Sequence, residues 1–236
     1  MCFHISLARD RRTIERRFDA SFVEPLFDEI YHASAFTFPK IPVISNDHPA
    51  CIQLFNWGLI PFWVKDEETG RKIRGQTLNA KAETIAEKAS FRHSIKNRRC
   101  LVLADGFYEW QHIKNKKYPY YIYLRDHPLF AFAGIWDIWT SKETQETLRT
   151  FSIITTQAND LLSRIHNTKQ RMPVILRPED EKRWLSDISL KEALGMLSQY
   201  DDKEMEAHTV SKLITTRGVP NNTPEVMSAY RYEATN

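Results

Sequence analysis

The chain has 236 residues, 42% of them hydrophobic, with a formal net charge of +3 and three cysteines. That size and apolar share suit one globular domain spanning 1–236, and no apolar run nears the ~18 residues that a membrane helix needs. The segment behind Met1 lacks the pattern of a secretory signal, Cys2, Cys51 and Cys100 have neither disulfide-framework nor zinc-site spacing, and the weak positive charge permits a polyanionic partner without requiring one; a cytoplasmic protein is expected.

In chain order, Thr13 to Phe18 and Phe22 to Tyr31 have roughly helical spacing, interrupted by Pro25. Cys51 to Trp57 alternates like a strand and runs into a turn over Gly58 to Trp63. Lys81 to Lys96 reads as helix, Cys100 to Ala104 as an apolar strand. Phe107–His112 and Tyr118–Leu124 flank the polar run Lys114 to Lys117 as a hairpin. Two further strands are predicted at Leu129–Trp139 and Thr150–Thr156, a short helix around Leu161-Leu162, a strand at Val174–Leu176, and helices over Glu179–Leu185 and Leu190–Gln199. Strands mixed irregularly with short helices indicate an α+β fold rather than a βαβ alternation, and no repeat or linker divides the chain.

Four patches carry candidate chemistry. Cys2 follows Met1 directly, so removal of Met1 leaves an α-amine, with pKa near ~8, beside a thiol; such a pair condenses with an aldehyde to an imine and closes to a thiazolidine. Asn79 stands just ahead of the predicted helix, where a side-chain amide serves as an N-cap. Glu109 lies between Tyr108 and Trp110 on a predicted strand, so it faces away from both. If its face is the interior, it is a buried carboxyl with a raised pKa, suited to general acid–base work; if not, it is a surface charge. His166 sits in a polar loop entering an apolar strand, and histidine is the side chain matched to proton transfer near neutrality. Neither a His-Glu-x-x-His nor a Cys-x-x-Cys pattern is present, so no metal is expected.

In this order, Met1-Cys2, Trp57-Gly58-Leu59-Ile60-Pro61, Asn79 to Thr84, Ala104 to Trp110, Ile153 to Thr156, and His166 with Arg171 to Leu176 resemble the SOS-response-associated peptidase (SRAP) family, whose members are also described as abasic-site processing proteins. The resemblance implies a single α+β domain with mixed, mainly antiparallel sheets curled into a pseudo-barrel, short peripheral helices, and the N-terminal cysteine in a positively lined groove. It implies a sensor of abasic sites in single-stranded DNA that links covalently to the ring-opened sugar aldehyde through Cys2. Glu109 would be the acid–base group, His166 a proton shuttle that also assists reversal, and Asn79 the group orienting the amine or the sugar. Trp63 matches the base-stacking region, and Lys81, Thr155 and Arg171 match phosphate or lesion contacts. The run Arg71-Lys72-Ile73-Arg74 adds positive charge ahead of Asn79. A monomer without cofactor is expected, associated with the nucleoid when bound to DNA, and any peptidase activity would be removal of its own Met1.

The chain departs from the family pattern in places. Phe3-His4 stand where the family commonly has Gly-Arg, so a histidine replaces an arginine expected to hold a phosphate. Phe38 to Val43 replace a Tyr-Asn-x-Ala-Pro segment, and the spacer from His166 to Arg171 is longer than the shortest family pattern. Two rival readings use the same residues. An N-terminal-nucleophile peptidase or amidohydrolase employs Cys2 and His166 but leaves Trp63 and the basic residues without a role, whereas a non-catalytic single-strand-binding module leaves Cys2 and Glu109 idle.

Overall fold

A computed structural model describes residues 1–233, so 234–236 of the expected domain lie outside the described residues. Strand β1 (His4–Leu7) leads into helix α1 (Arg11–Phe18), followed by β2 (Ser21–Phe22), β3 (Ile30–Ser34), β4 (Lys40–Ser45), β5 (Cys51–Trp57), α2 (Glu67–Gln76), β6 (Asn79–Lys81) and α3 (Ser94–Asn97). Then come β7 (Arg99–Ala104), β8 (Gly106–Ile113), β9 (Lys116–Leu124), β10 (Phe130–Thr140) and β11 (Thr147–Gln157). The chain closes with α4 (Asp160–Ile165), β12 (Arg171–Pro173), α5 (Pro178–Leu185), α6 (Leu190–Gly195) and β13 (Met205–Thr209).

Two sheets organise these elements. One is antiparallel, in the order β13-β9-β8-β1-β3. The other runs β12-β11-β10-β7-β4-β5-β2, and an additional parallel pairing of β11 with β5 closes β5, β4, β7, β10 and β11 into a five-stranded barrel. The α+β class and the curled sheets therefore follow the expectation. Alternation along the barrel strands builds the core. Phe55, Trp57, Val102, Phe132 and Phe151 pack with Ile5, Phe107 and Ile122 of the first sheet, while Leu101, Leu103, Ala131 and Ile154 pack with Ile14, Phe18, Trp184 and Ala193 of the helices.

Local chemistry sets the helix ends. Asp10 caps α1 by accepting from the Thr13 amide, and Asp19 ends it in the left-handed region at φ 51°. Pro178 opens α5 with three acids in its first turn, and Ser189 with Glu192 forms a reciprocal capping box on α6.

Four of the predicted elements are corrected. Phe22 to Tyr31 is not helical: Pro25 has no N–H to give, and the Arg11 guanidinium instead gathers the carbonyls of Phe22, Glu24 and Pro25 at 3.0, 2.9 and 2.8 Å, holding an irregular segment between β2 and β3. Lys81 to Lys96 is not one helix, because Asn79–Lys81 pair in parallel with Ile153–Thr155 of β11, and the chain turns back before α3. The ladder strand near Val174–Leu176 is instead Arg171–Pro173, with Ile175 making only an isolated bridge to Phe132. The last helix stops at Gly195 rather than reaching Gln199, as the low helix propensity of glycine favours.

Arg99 ties the helical layer to the barrel. Its buried guanidinium donates to the carbonyls of Ile95, Lys96, Trp184 and Ser186 at 3.1, 2.9, 2.9 and 2.7 Å. An Arg99→Met variant keeps the aliphatic stem but leaves those acceptors unpaired. It is expected to lose about 3 kcal/mol of stability, measured as a shift in urea midpoint at unchanged slope.

Candidate active site

Three segments distant in sequence deliver the candidate residues to one place. On β8, Phe107 and Glu109 share a face while Tyr108 packs with Tyr121 and Val210 on the other, so the alternation read from the sequence sends Glu109 inward, to 5% exposure. The N-terminal residues run beside β8 because Ile5 of β1 pairs with Phe107. His166 caps the C-terminal end of α4, its amide donating to the Leu162 carbonyl at 2.7 Å. The Met1 amine lies 3.2 and 3.4 Å from the two ring nitrogens of His166 and 3.7 Å from Glu109 Oε1, and Glu109 Oε1 is 3.5 Å from His166 Nδ1.

The backbone around His166 selects its tautomer. Nδ1 is 2.8 Å from the Arg171 carbonyl oxygen, which can only accept, so Nδ1 carries the proton and Nε2 remains the acceptor. Burial and the nearby amine charge push the imidazole down to about 4, leaving it neutral at pH 7. Glu109 is displaced the other way: burial raises it to about 8 despite the N-terminal amine. A separation of 3.7 Å exceeds hydrogen-bond reach, and buried Oε1 has no donor among the described residues. At neutral pH the carboxyl is therefore largely protonated, the reverse of its ordinary state, and the histidine is neutral. The amine itself is lowered by burial and by Arg171, against the opposing pull of Glu109.

Cys2 is fully buried, and burial followed by the Glu109 charge pushes its thiol far up. Its sulfur is 4.0 Å from the His4 carbonyl. Asn79 does not cap a helix. It sits on β6 and donates from Nδ2 to the Cys2 carbonyl at 2.9 Å, a contact that fixes the backbone at Cys2, while its buried Oδ1 has no donor among the described residues.

The residues predicted to contact DNA divide into two groups. Lys81 and Thr155 are ladder partners, and Arg171 reaches the Thr155 carbonyl and hydroxyl at 2.7 and 3.3 Å. Thr155 is fully buried, so in this conformation it supports Arg171. Arg171 is paired bidentately with Glu83 at 2.5 and 2.9 Å, a carboxylate that a phosphate would have to replace. Lys81 is exposed. Trp63 stands apart: it is 43% exposed in the turn beside the cluster of Ile60, Val64 and Trp139. The Arg71–Arg74 run lies on α2. There Arg71 and Lys72 pair with Glu67 and Glu68, and Arg74 donates to the Trp57 carbonyl at 3.2 Å.

Above Met1, Glu109 and His166 opens a cleft of 730 Å³ whose walls include Lys116, Lys117, Lys169 and Lys212. Sequence reasoning missed this lysine arc. The run Lys114 to Lys117 was visible as a charged hairpin tip, and its placement over the site depends on the antiparallel pairing of β8 with β9. No group of three or more His, Cys, Asp or Glu able to hold a metal ion occurs among the described residues. None of their helices is long and apolar enough to cross a membrane.

The model of the family described as SOS response associated peptidase (SRAP) matches residues 1–217. "Abasic site processing protein YoqW" of Bacillus subtilis is 39% identical over 206 residues, covering 85% of this chain and 88% of that protein. "Abasic site processing protein HMCES" of Xenopus tropicalis is 34% identical over 194 residues, 73% of this chain and 56% of that longer protein. A crystal structure of a protein from Bacteroides thetaiotaomicron superposes with a TM-score of 0.92 at 41% identity, covering 98% of this chain and all of the other. The chain belongs to the SOS response associated peptidase (SRAP) family.

Proposed function

We propose that this protein processes abasic sites in single-stranded DNA, acting as a monomer that links covalently to the lesion through Cys2 once Met1 has been removed. The observation that carries the reading is the convergence, at the floor of a lysine-walled cleft, of the chain's N-terminus with a protonated Glu109 and a neutral His166. The names of the relatives, abasic site processing proteins, support the same substrate.

In this reading the Cys2 amine, kept neutral by burial, attacks the aldehyde carbon of the ring-opened sugar, and His166 Nε2 takes a proton from the attacking nitrogen and returns it to the carbonyl oxygen, giving the carbinolamine. The carbinolamine loses its hydroxyl as water with the proton of Glu109, giving an iminium. The Cys2 sulfur then adds to the same carbon, its proton passing to the Glu109 carboxylate, and closes the thiazolidine. Asn79 holds the Cys2 carbonyl so that amine and thiol face one electrophile. Reversal returns a proton to the departing groups, a step that we assign to His166. Lysines on the cleft wall and Lys81 hold phosphates, Trp63 offers an exposed indole face to an unstacked base, and Arg171 engages phosphate by leaving Glu83.

The same geometry supports removal of Met1 as a self-processing step. The Cys2 sulfur attacks the Met1 carbonyl carbon, the Met1–Cys2 C–N bond breaks with a proton going to the Cys2 nitrogen, and water hydrolyses the resulting thioester to release methionine. Intact mass of the purified precursor is expected to fall by one methionine on incubation, and a Cys2→Ala precursor to stay unchanged; loss of Met1 from that variant would assign the step to another enzyme.

Processed wild-type protein is expected to give a denaturant-resistant band with abasic single-stranded DNA, and Cys2→Ala to lose the stable adduct; equal crosslinking by Cys2→Ala would sink the assignment. Glu109→Gln is expected to slow adduct formation by about 10²- to 10⁴-fold with little change in DNA affinity. The acid form of Glu109 disappears as pH rises through about 8, so the wild-type rate is expected to fall above that pH while the slow Glu109→Gln rate lacks this alkaline limb.

For the DNA path, Trp63→Ala and Lys81→Ala are expected to weaken single-strand binding. A Lys116→Ala/Lys117→Ala double variant should flatten the slope of log affinity against log salt by about 0.7 per lost phosphate contact. Fluorescence anisotropy across a salt series checks both, and unchanged affinity and slope would place the strand elsewhere.

A further inference from the structure

Strand β8, which carries Glu109, has an open edge next to the loop that carries His166. β1 pairs with β8 at Gly106 and Phe107, and beyond Phe107 that edge has no neighbouring strand among the described residues. In an antiparallel ladder the N–H and C=O of one residue point to the same side. Those of His112 point to the open edge, and the Asn167 carboxamide takes both: its Oδ1 accepts from the His112 amide at 3.0 Å and its Nδ2 donates to the His112 carbonyl at 2.8 Å. One side chain thus makes the pair of bonds that a residue of a neighbouring strand would make. Beside it, Gln111 donates from Nε2 to the Arg164 carbonyl at 3.1 Å, while its Oε1 accepts from the Tyr120 hydroxyl at 3.1 Å.

The rest of the spacer between His166 and Arg171 is a closed turn. The His166 carbonyl accepts from the amides of Lys169 and Gln170 at 3.3 and 2.8 Å. Gln170 reverses the chain in the left-handed region at φ 50°, and its carbonyl accepts from the Ala158 amide at 3.0 Å. With the ring Nδ1 on the Arg171 carbonyl, these bonds tie His166 to its own loop and to the end of β11, and none of them reaches β8. In the precursor the Met1 amine also stands between His166 and Glu109. Once Met1 is gone, the hydrogen bonds joining the loop to β8 among the described residues are those of Asn167 and Gln111. Asn167 adjoins His166, and its two bonds in fixed directions restrict rotation as well as distance. The length of the spacer has a use here, since it lets the chain turn back at Gln170 after Asn167 has met the edge of β8.

We propose, resting on the reading of His166 as a proton carrier in the covalent step, that Asn167 is the positioning residue of that histidine: its clamp on His112 holds the imidazole at working distance from Glu109 and from the Cys2 amine. A ring displaced by about 1 Å no longer meets the attacking nitrogen, so loss of the clamp falls on the rate of the bound complex.

The test is single-turnover crosslinking of processed protein to abasic single-stranded DNA at saturating DNA. Asn167→Ala leaves its former partners at an exposed edge where water replaces the side chain. It is expected to slow adduct formation by about 10- to 100-fold, and to slow it no further in a His166→Ala background, because both changes act through one ring. Asn167→Asp keeps the shape of the side chain. As a carboxylate it accepts from the His112 amide but turns a second acceptor toward the His112 carbonyl, and only the protonated acid restores both bonds. Its rate relative to wild type is therefore expected to recover as pH is lowered, while the ratio for Asn167→Ala stays flat. A wild-type rate in Asn167→Ala, or equal slowing with and without His166, overturns the inference. Ring ¹⁵N spectra judge the clamp without the reaction: wild type is expected to show His166 in one Nδ1-protonated form and Asn167→Ala an averaged mixture, and identical spectra overturn the inference. If wild-type protein forms no adduct, the covalent reading falls and the spectra alone decide whether Asn167 orients the ring.

Discussion

The burial of one carboxyl at the floor of the cleft governs the chemistry available to the rest of the site. Glu109 is turned inward by the same alternation that sends Phe107 into the core, and Tyr108 and Trp110 cover the opposite face. Withdrawn from water and without a hydrogen-bond donor to its Oε1 among the described residues, the carboxyl keeps its proton to about pH 8. The neighbouring imidazole is held neutral by burial and by the amine. A pocket that places a neutral acid and a neutral base within 3.5 Å of each other can donate and accept protons at one carbon without first paying to desolvate a charge.

That arrangement is held by strand β11. Along one edge it pairs with β5 and then β6; at its C-terminal end it takes β12 on the other edge. β6 carries Asn79 to the Cys2 carbonyl, and β12 begins with Arg171, whose carbonyl takes the His166 proton. Two of the contacts that orient the site are thus made by short strands of three residues each, both anchored on an eleven-residue strand of the closed barrel. The N-terminus arrives from the other sheet, so Cys2 lies where the two sheets meet.

Much of this was legible in the sequence where periodicity alone decides. Cys51–Trp57 is a strand with the predicted bounds, the Phe107–Leu124 hairpin turns at Lys114, and the inward face of Glu109 follows from period two once Phe107 is placed in the core. Asn79 was read as a cap because its backbone partners, Ile153 to Thr155, are more than seventy residues away, and no local signal distinguishes a capped helix from a short strand taken up by a distant edge. The segment after Phe22 misled for a related reason, since the Arg11 guanidinium that holds it lies outside the window in which helical spacing is judged. The lysine arc was invisible as a unit: Lys116, Lys117, Lys169 and Lys212 converge only through the fold.

Met1 occupies the ground between Glu109 and His166. An aldehyde carbon approaching the Cys2 amine must come to lie near that same ground, since the two nitrogens are separated by one residue of chain. On the proposed chemistry, removal of Met1 therefore does two things at once: it creates the second nucleophile, and it vacates the space beside the acid and the base that the sugar must enter. Before removal the amine present is one residue too far along, with no thiol on the adjoining carbon, and a five-membered ring cannot close. On that chemistry the precursor is held inactive by the geometry of its own first residue.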